Sequence, residues 1–401
     1  LNAGAGGRCI EVDAAGALAL TAALVRARSV AEPGVGEAVA AALVAATMRD
    51  WGWTVEVDEV APGRPNVTAL VSGAGGPGPV LAFEGHLDVV SEGDRRSWTV
   101  DPYGAEIVDG RLYGRGSADM KSGVAAMLYG VRALQLSGAF PGAVRILALA
   151  DEEGMMAGAR RAVTAGLLAD VAGVVVCEPE GDEVCPTSKG AVRLRVDLHG
   201  RMAHGAMPHQ GANPVPVLGR LLVALERLQT ELQVAHPAHE HLGAVYLTPT
   251  VLTAGDPGQM NTSPAQASVW VDLRTIPGVD HGAVVDRIRA DAEGLAAAVG
   301  VTAAVHVIDD RPPVDTPVDD PVVTCLLDAH EAVVGTRAAL GGVPGTTDGT
   351  IFTRDAGVPT VVYGPGGKWI AHQADEFVAV DDIGRYARVY AEAALRFVGG
   401  T

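Results

Sequence analysis

Apolar runs that stop at a histidine or an acidic residue recur along this chain, and they limit what it can fold into. Residues Phe83 to Val90 read F-E-G-H-L-D-V-V. This puts His86 and Asp88 at the end of an apolar strand, on one face of it, because side chains alternate along a strand. The same kind of ending returns with Asp119 in G-R-G-S-A-D-M-K-S-G, Glu152 and Glu153 in A-L-A-D-E-E-G, and Glu178 in V-V-V-C-E-P-E. It returns once more with His372 in A-H-Q-A-D-E. Carboxylates and imidazoles at so many strand ends are costly to bury unless something cationic offsets them. A pair of divalent metals would do so.

Between these endings the pattern alternates. Strand-type runs at Thr54–Val60, Asn66–Val71, Val80–Phe83, Val144–Ala150 and Val171–Cys177 are interleaved with helical patterns at Met120–Gln135 and Met155–Leu168. Two alanine-rich amphipathic stretches, Asp13–Ser29 and Gly36–Trp51, precede them. The alternation predicts an α/β fold with a mainly parallel sheet. In such sheets ligands bind beyond the carboxyl ends of the strands, where His86, Asp88, Glu152, Glu153 and Glu178 fall. The glycine-rich Gly73–Pro79 lacks the G-K-[ST] ending of a phosphate loop and reads as a hairpin or turn connection.

From Ala191 the character changes. Strands at Ala191–Leu198, Val245–Thr253, Ala267–Leu273 and Val301–Ile308, with helices at Val215–Leu232 and Ala283–Val299, give the order β-α-β-β-α-β of a ferredoxin-like sandwich. Asp309–Pro321, rich in Pro and Asp, reads as the return linker. The expected organisation is therefore a catalytic domain in two parts, residues 1–187 and 313–401, with a ferredoxin-like α+β domain inserted at residues 188–312.

The 401 residues carry a net charge of −18 and only 4% aromatics. This argues against nucleic acid and anionic membrane as partners, since both call for a basic footprint. No apolar run approaches the roughly 20 residues of a membrane span. The N-terminal L-N-A-G-A-G-G-R has neither the charged nor the apolar region of a signal peptide. Cys9, Cys177, Cys185 and Cys325 form no C-x-x-C pair, so the expected state is reduced and cytoplasmic. Cys177 reads as a small buried hydrophobe.

Taken together and in order, G-H-L-D-V-V, L-Y-G-R-G-S-A-D-M-K-S-G, D-E-E-G, C-E-P-E and A-H-Q-A-D-E resemble the zinc-dependent family of aminoacylases, acetylornithine deacetylase, succinyl-diaminopimelate desuccinylase and glutamate-releasing carboxypeptidases. The resemblance covers nearly the whole length. It implies two Zn²⁺, with Co²⁺ or Mn²⁺ as substitutes. Asp119 would bridge them, His86 and Glu178 would complete one site, and Glu153 and His372 the other. Glu152 would be the general base. Asp88 would accept the free N–H of His86 and fix its tautomer.

His204, in G-R-M-A-H-G-A-M-P-H, reads on its own as a surface histidine. The resemblance makes it an oxyanion donor that reaches the partner subunit's active site, implying a homodimer through the inserted domain. Arg274, in V-D-L-R-T-I-P-G, is on its own a surface ion pair; the resemblance makes it a clamp for a substrate α-carboxylate, with Asn261 as an adjacent polar contact. Gly345 and Thr346, in G-T-T-D-G, offer backbone donors near the same place or form only a tight turn. His209 is read as structural, and the loop histidines His236, His239 and His241 leave a further metal site open. The function implied is removal of the acyl group from an N-acyl-L-amino acid, with a metallo-carboxypeptidase or dipeptidase acting on short peptides as the alternative.

Overall fold

A computed structural model describes residues 10–31 and 35–400; Cys9 lies outside them. The chain separates into two compact units. One comprises Leu1–Thr187, Thr316–Gly342 and Thr347–Thr401; the other comprises Ser188–Asp315 and Val343–Thr346.

The first unit is built on a mixed sheet with a parallel centre. Strands Ala143–Leu149, Val80–His86, Val171–Val176 and Thr360–Val362 lie side by side and parallel. Arg64–Ser72 and then Val55–Ala61 extend one side antiparallel, and Glu183–Ser188 pairs antiparallel on the other. The central strand Val80–His86 is buried at Leu81 and Phe83 on one parity and at Ala82 and Glu84 on the other. Both faces are thus covered, which is why this segment reads as a continuous apolar run rather than an alternating one.

Helices Ala14–Arg26, Ser122–Ser137, Pro321–Val334 and Val380–Gly399 share a single core with the sheet, including Leu24, Met127, Leu326, Tyr390 and Phe83. Their starts are marked by local chemistry. Asp13 accepts the Gly16 N–H at 2.8 Å, and Asp320 accepts the Val322 N–H at 2.9 Å ahead of Pro321. Both satisfy amides that a helix leaves unpaired.

Two expectations change. Gly73–Pro79 is a connection but not a hairpin, because the strands it joins are separated by Ala143–Leu149. The pattern over Met155–Leu168 gives a helix only at Ala157–Thr164. The residues before it are drawn into a turn in which Asp151 Oδ2 accepts the N–H groups of Met155 and Ala157, at 3.1 and 3.2 Å.

The second unit is a four-stranded antiparallel sheet in the order Tyr246–Ala254, Gln266–Thr275, Gly190–His199, Thr302–Arg311, with helices Val215–Ala235 and His281–Ala297 packed on it. Connectivity and order are those of a ferredoxin-like sandwich. In the longer helix Leu218, Leu221, Leu225, Leu228 and Leu232 are buried, a spacing that keeps one apolar stripe on the sheet. Among the described residues no helix is long and apolar enough to cross a membrane.

Candidate active site

The parallel strands of the first unit point their carboxyl ends the same way, and that edge gathers the acidic residues. His86 is the last residue of its strand, with Asp88 two beyond it. Glu152 and Glu153 follow Leu149 by three and four residues, and Glu178 follows Val176 by two. Asp119 comes from the bend Ser117–Lys121, where Asp119 and Met120 leave helical geometry ahead of the helix Ser122–Ser137. His372 comes from the loop after Thr360–Val362, with φ of +66°.

Asp119 faces both histidines. Its Oδ1 lies 3.0 Å from His86 Nε2, and its Oδ2 lies 3.2 Å from His372 Nε2. Glu178 Oε1 is 3.3 Å from the same His86 nitrogen, and Glu153 Oε1 is 3.0 Å from the same His372 nitrogen. Two trios, His86–Asp119–Glu178 and His372–Asp119–Glu153, therefore share one carboxylate. Donor atoms of His86, Glu152 and Glu178, and of His86, Asp119 and Glu153, also converge within 4.8 Å.

The electrostatics show what this cluster requires. Burial pushes the Glu178 carboxyl up to about 8, with Asp119 adding to it. Burial likewise lifts Glu152 well above the usual carboxylate range. Burial opposes charge on His86, but Glu178 and the hydrogen bonds to Asp119 and Asp88 outweigh it and raise its pKa well above the ordinary value. Hydrogen bonds to Asp119 and Glu153 hold His372 up to about 10. Burial also works against ionised Asp119, yet the two imidazoles keep its carboxyl below its normal range. The carboxylates thus draw both imidazoles toward their protonated forms. An all-N/O donor set, with one carboxylate turned to both imidazoles, fits two divalent cations in place of those protons.

Asp88 behaves differently from expectation. His86 Nδ1 lies 3.0 Å from the backbone carbonyl of Asp88 and 3.5 Å from its carboxylate. The carboxylate instead accepts backbone N–H groups, from Glu152 to Oδ1 and from Glu153 to Oδ2, each at 3.1 Å. The main-chain oxygen is thus the nearer partner of His86 Nδ1, and the Asp88 carboxylate, besides facing the ring, fixes the loop that carries the two glutamates.

The other sequence-selected residues lie in the second unit. His204 is exposed on the short strand Ala203–His204, paired with Thr262. Its Nδ1 accepts the Ala206 N–H at 3.0 Å. Asn261 precedes Thr262, and its carbonyl accepts the Gly205 N–H at 2.6 Å. Arg274 sits near the far end of Gln266–Thr275 and pairs with Asp272, Nε to Oδ1 at 2.7 Å. Gly345 and Thr346 also belong to this unit, where Arg311 Nη1 donates to Thr346 Oγ1 at 3.5 Å. His236, His239 and His241 form no metal-competent group among the described residues.

Several site residues escaped the sequence reading. Glu84 is fully buried two residues before His86, and burial together with the Asp348 carboxyl lifts it well above the usual range. Strand parity could have found it. Glu376 and Arg115 lie inside motifs already singled out. Arg115 Nη1 meets Glu376 Oε2 at 2.6 Å, and Glu376 Oε1 accepts the N–H groups of Ala118 and Asp119 at 2.9 and 3.0 Å. Glu37 and Arg64 stand in no motif. A further cluster, Glu180, Glu183 and Cys185, already holds its cation, for Lys368 Nζ lies 2.7 Å from each of the two carboxylates.

Comparison with known proteins shows the family and the fold. The model of peptidase family M20/M25/M40 matches residues 82–396. A succinyl-diaminopimelate desuccinylase of Methylorubrum populi is 34% identical over 402 residues, covering 95% of this chain and 98% of that protein. Among solved structures, an M20 family metallo-carboxypeptidase from Sulfolobus solfataricus superposes with a TM-score of 0.77 at 18% identity, over 95% of this chain and 99% of its own. The Bacillus subtilis YXEP protein, described as a dinuclear metal-binding peptidase of the M20 family, gives 0.72 at 20% identity over 96% and 99%.

Proposed function

Because this chain belongs to peptidase family M20/M25/M40, a family of metal-dependent hydrolases acting on amide bonds, we propose that it is a two-zinc deacylase of N-acyl-L-amino acids. The observation that carries the reading is Asp119, with one oxygen turned to each of two histidines and a glutamate completing each trio. His86, Asp119 and Glu178 would hold one zinc ion; His372, Asp119 and Glu153 the other. Bound there, the two ions would supply Lewis acidity and bring the pKa of a water close to neutrality.

The chain's own groups do the rest. Glu152 is buried, and its carboxyl is the group best suited to take a proton from the attacking water and return it to the leaving nitrogen. Its neighbour Glu153 bonds His372 instead, so adjacent glutamates carry separate roles. Arg274, Asn261, Gly345 and Thr346 are assigned to the substrate, Arg274 to a free α-carboxylate for which it would exchange Asp272.

A homodimer through the second unit completes the proposal, with His204 acting as oxyanion donor across subunits. Its support is the strand Tyr246–Ala254. Among the described residues this strand has a sheet neighbour on one side only, and it carries exposed Tyr246, Val251 and Leu252. Such an edge is a template for pairing with another chain. The desuccinylase relative favours acyl-amino acids; the metallo-carboxypeptidase fold neighbour keeps the peptidase alternative in view. A panel of N-succinyl, N-acetyl and dipeptide substrates decides. Higher kcat/KM on acyl-amino acids supports the deacylase, and higher kcat/KM on dipeptides overturns it.

A further inference from the structure

The loop that carries Glu152 is held by a buried network centred on Arg64, a residue no motif singles out. Three consecutive backbone N–H groups, those of Asp151, Glu152 and Glu153, are each accepted by a buried carboxylate. Glu37 Oε1 takes the first at 3.3 Å, and Asp88 takes the second and third at 3.1 Å each. Arg64 touches every carboxylate involved. Its Nε lies 3.1 and 3.0 Å from the two Glu37 oxygens, its Nη2 lies 3.7 Å from Asp88 Oδ2, and its Nη1 bonds Asp151 Oδ1. Asp151 in turn accepts the N–H groups of Met155 and Ala157. It has φ of +70°, a conformation that a non-glycine residue holds only when its surroundings fix it.

The physical need for Arg64 is plain. Glu37 and Asp88 have fully buried side chains and that of Asp151 is nearly so. Three carboxylates this close, all required as acceptors, need a cation that can serve several of them at once. A planar guanidinium with five donors does this, whereas an ammonium offers only a point charge. Arg64 opens the strand Arg64–Ser72 and Glu37 immediately precedes the helix Ala38–Asp50, so the loop is braced from elements far from it in sequence.

We infer that Arg64, acting with Glu37 through Asp88 and Asp151, is a positioning residue for the Glu152 carboxylate. The inference rests on the reading of Glu152 as general base. Arg64 makes no hydrogen bond or ion pair with His86, Asp119, Glu153, Glu178 or His372 among the described contacts, so its loss acts only through the loop: at saturating metal it should impair proton transfer by Glu152, and any loss of metal retention should come through the Glu153 amide that Asp88 holds.

The test is a double-mutant cycle on the full-length, metal-loaded protein, with Arg64→Met, Glu152→Gln and the double variant. Arg64→Met should lower kcat about tenfold or more with KM little changed, since a misplacement of about 1 Å costs up to 10²-fold. In the Glu152→Gln background the same change should cost less than about threefold, because groups acting as a unit are non-additive. Amide hydrogen exchange gives a readout independent of activity: the Asp151, Glu152 and Glu153 amides should exchange faster in Arg64→Met, with the core strands unchanged. Arg64→Lys keeps the charge and loses the fork, so it should fall between parent and Arg64→Met. If Arg64→Met does not fold, Glu37→Gln and Arg64→Lys carry the same cycle. Equal fold-losses in both backgrounds, or unchanged exchange at those three amides, overturn the inference. Near-parental turnover of Glu152→Gln alone instead overturns the assignment of the base.

Discussion

Glu376→Ala removes a side chain that is 1% exposed from a pair whose other member, Arg115, is 3% exposed. Two losses add. Taking one partner from a buried ion pair costs about 3–5 kcal/mol, because the remaining charge stays buried without compensation. Glu376 Oε1 also accepts the N–H groups of Ala118 and Asp119, and each buried amide left without an acceptor costs about 1–3 kcal/mol. The sum is about 5 kcal/mol or more, comparable with the 5–15 kcal/mol net stability of a typical domain. Glu376→Gln keeps an acceptor for the two amides but loses the charge and turns its NH2 donor toward Arg115, so it should be milder than alanine by the cost of the two amides, about 2 kcal/mol or more. Both variants should also weaken metal retention by about 10–100-fold, as partners of metal ligands commonly do. The reason is that Arg115 and Glu376 tie the Asp119 bend to the His372 loop, Arg115 Nη2 donating to the His372 carbonyl at 3.3 Å. Urea unfolding in chelator measures the first effect and zinc titration the second. An alanine variant within about 1 kcal/mol of the parent, the range of a surface change, would refute the burial argument. Equal losses in the alanine and glutamine variants would refute the role given to the two amides.

With metal removed, stability should fall as pH rises from about 6 to about 10. Glu178 and His372 have folded pKa values of about 8 and about 10 against ordinary values of 4.5 and 6.5. Both hold their proton more tightly folded than unfolded, so their contribution is complete below the ordinary values and is lost as pH climbs through the folded ones. Melting in chelator across that range checks this, and a Tm that rises with pH contradicts it. Mixing inactive Glu152→Gln with inactive His204→Ala subunits should restore part of the activity, because one site of each heterodimer would keep both groups; tagged chains verify exchange, and verified heterodimers without recovery place His204 outside the partner's site. Capping the substrate α-carboxylate as an amide should lower kcat/KM about 30-fold or more, given the roughly 2–5 kcal/mol for truncating one member of a buried charge pair. Arg274→Ala should penalise the free acid far more than the amide, and equal rates on acid and amide in the parent would remove Arg274 from the site.

What the sequence made legible follows from how far each signal reaches along the chain. The parallel strands are short apolar runs whose covering on both faces leaves no alternation, and the residues at their carboxyl ends are named by position alone. This is why His86, Glu152, Glu153 and Glu178 could be read from local text, with Asp119 and His372 joining them through their motifs. Asp88 shows where local reading stops. Its spacing placed it on one strand face with His86, and the family resemblance implied a bond to that ring, but the strand ends at His86 and the Asp88 carboxylate also turns to the amides of a loop some sixty residues later. Arg64 and Glu37 are the stronger case. Each is a lone charge beside a glycine, without periodicity or motif, and their partners lie 27 and 87 residues from Arg64. Only the folded sheet brings the start of Arg64–Ser72 beside the turn that follows Ala143–Leu149, its neighbouring strand. The candidate ligands themselves are written in short motifs because each must end a strand or a turn, whereas the groups that hold their loops are recruited from whichever elements the sheet order makes neighbours. Residues of the second kind are therefore found by asking which buried carboxylates accept main-chain amides at the strand ends, and which cation each of them meets.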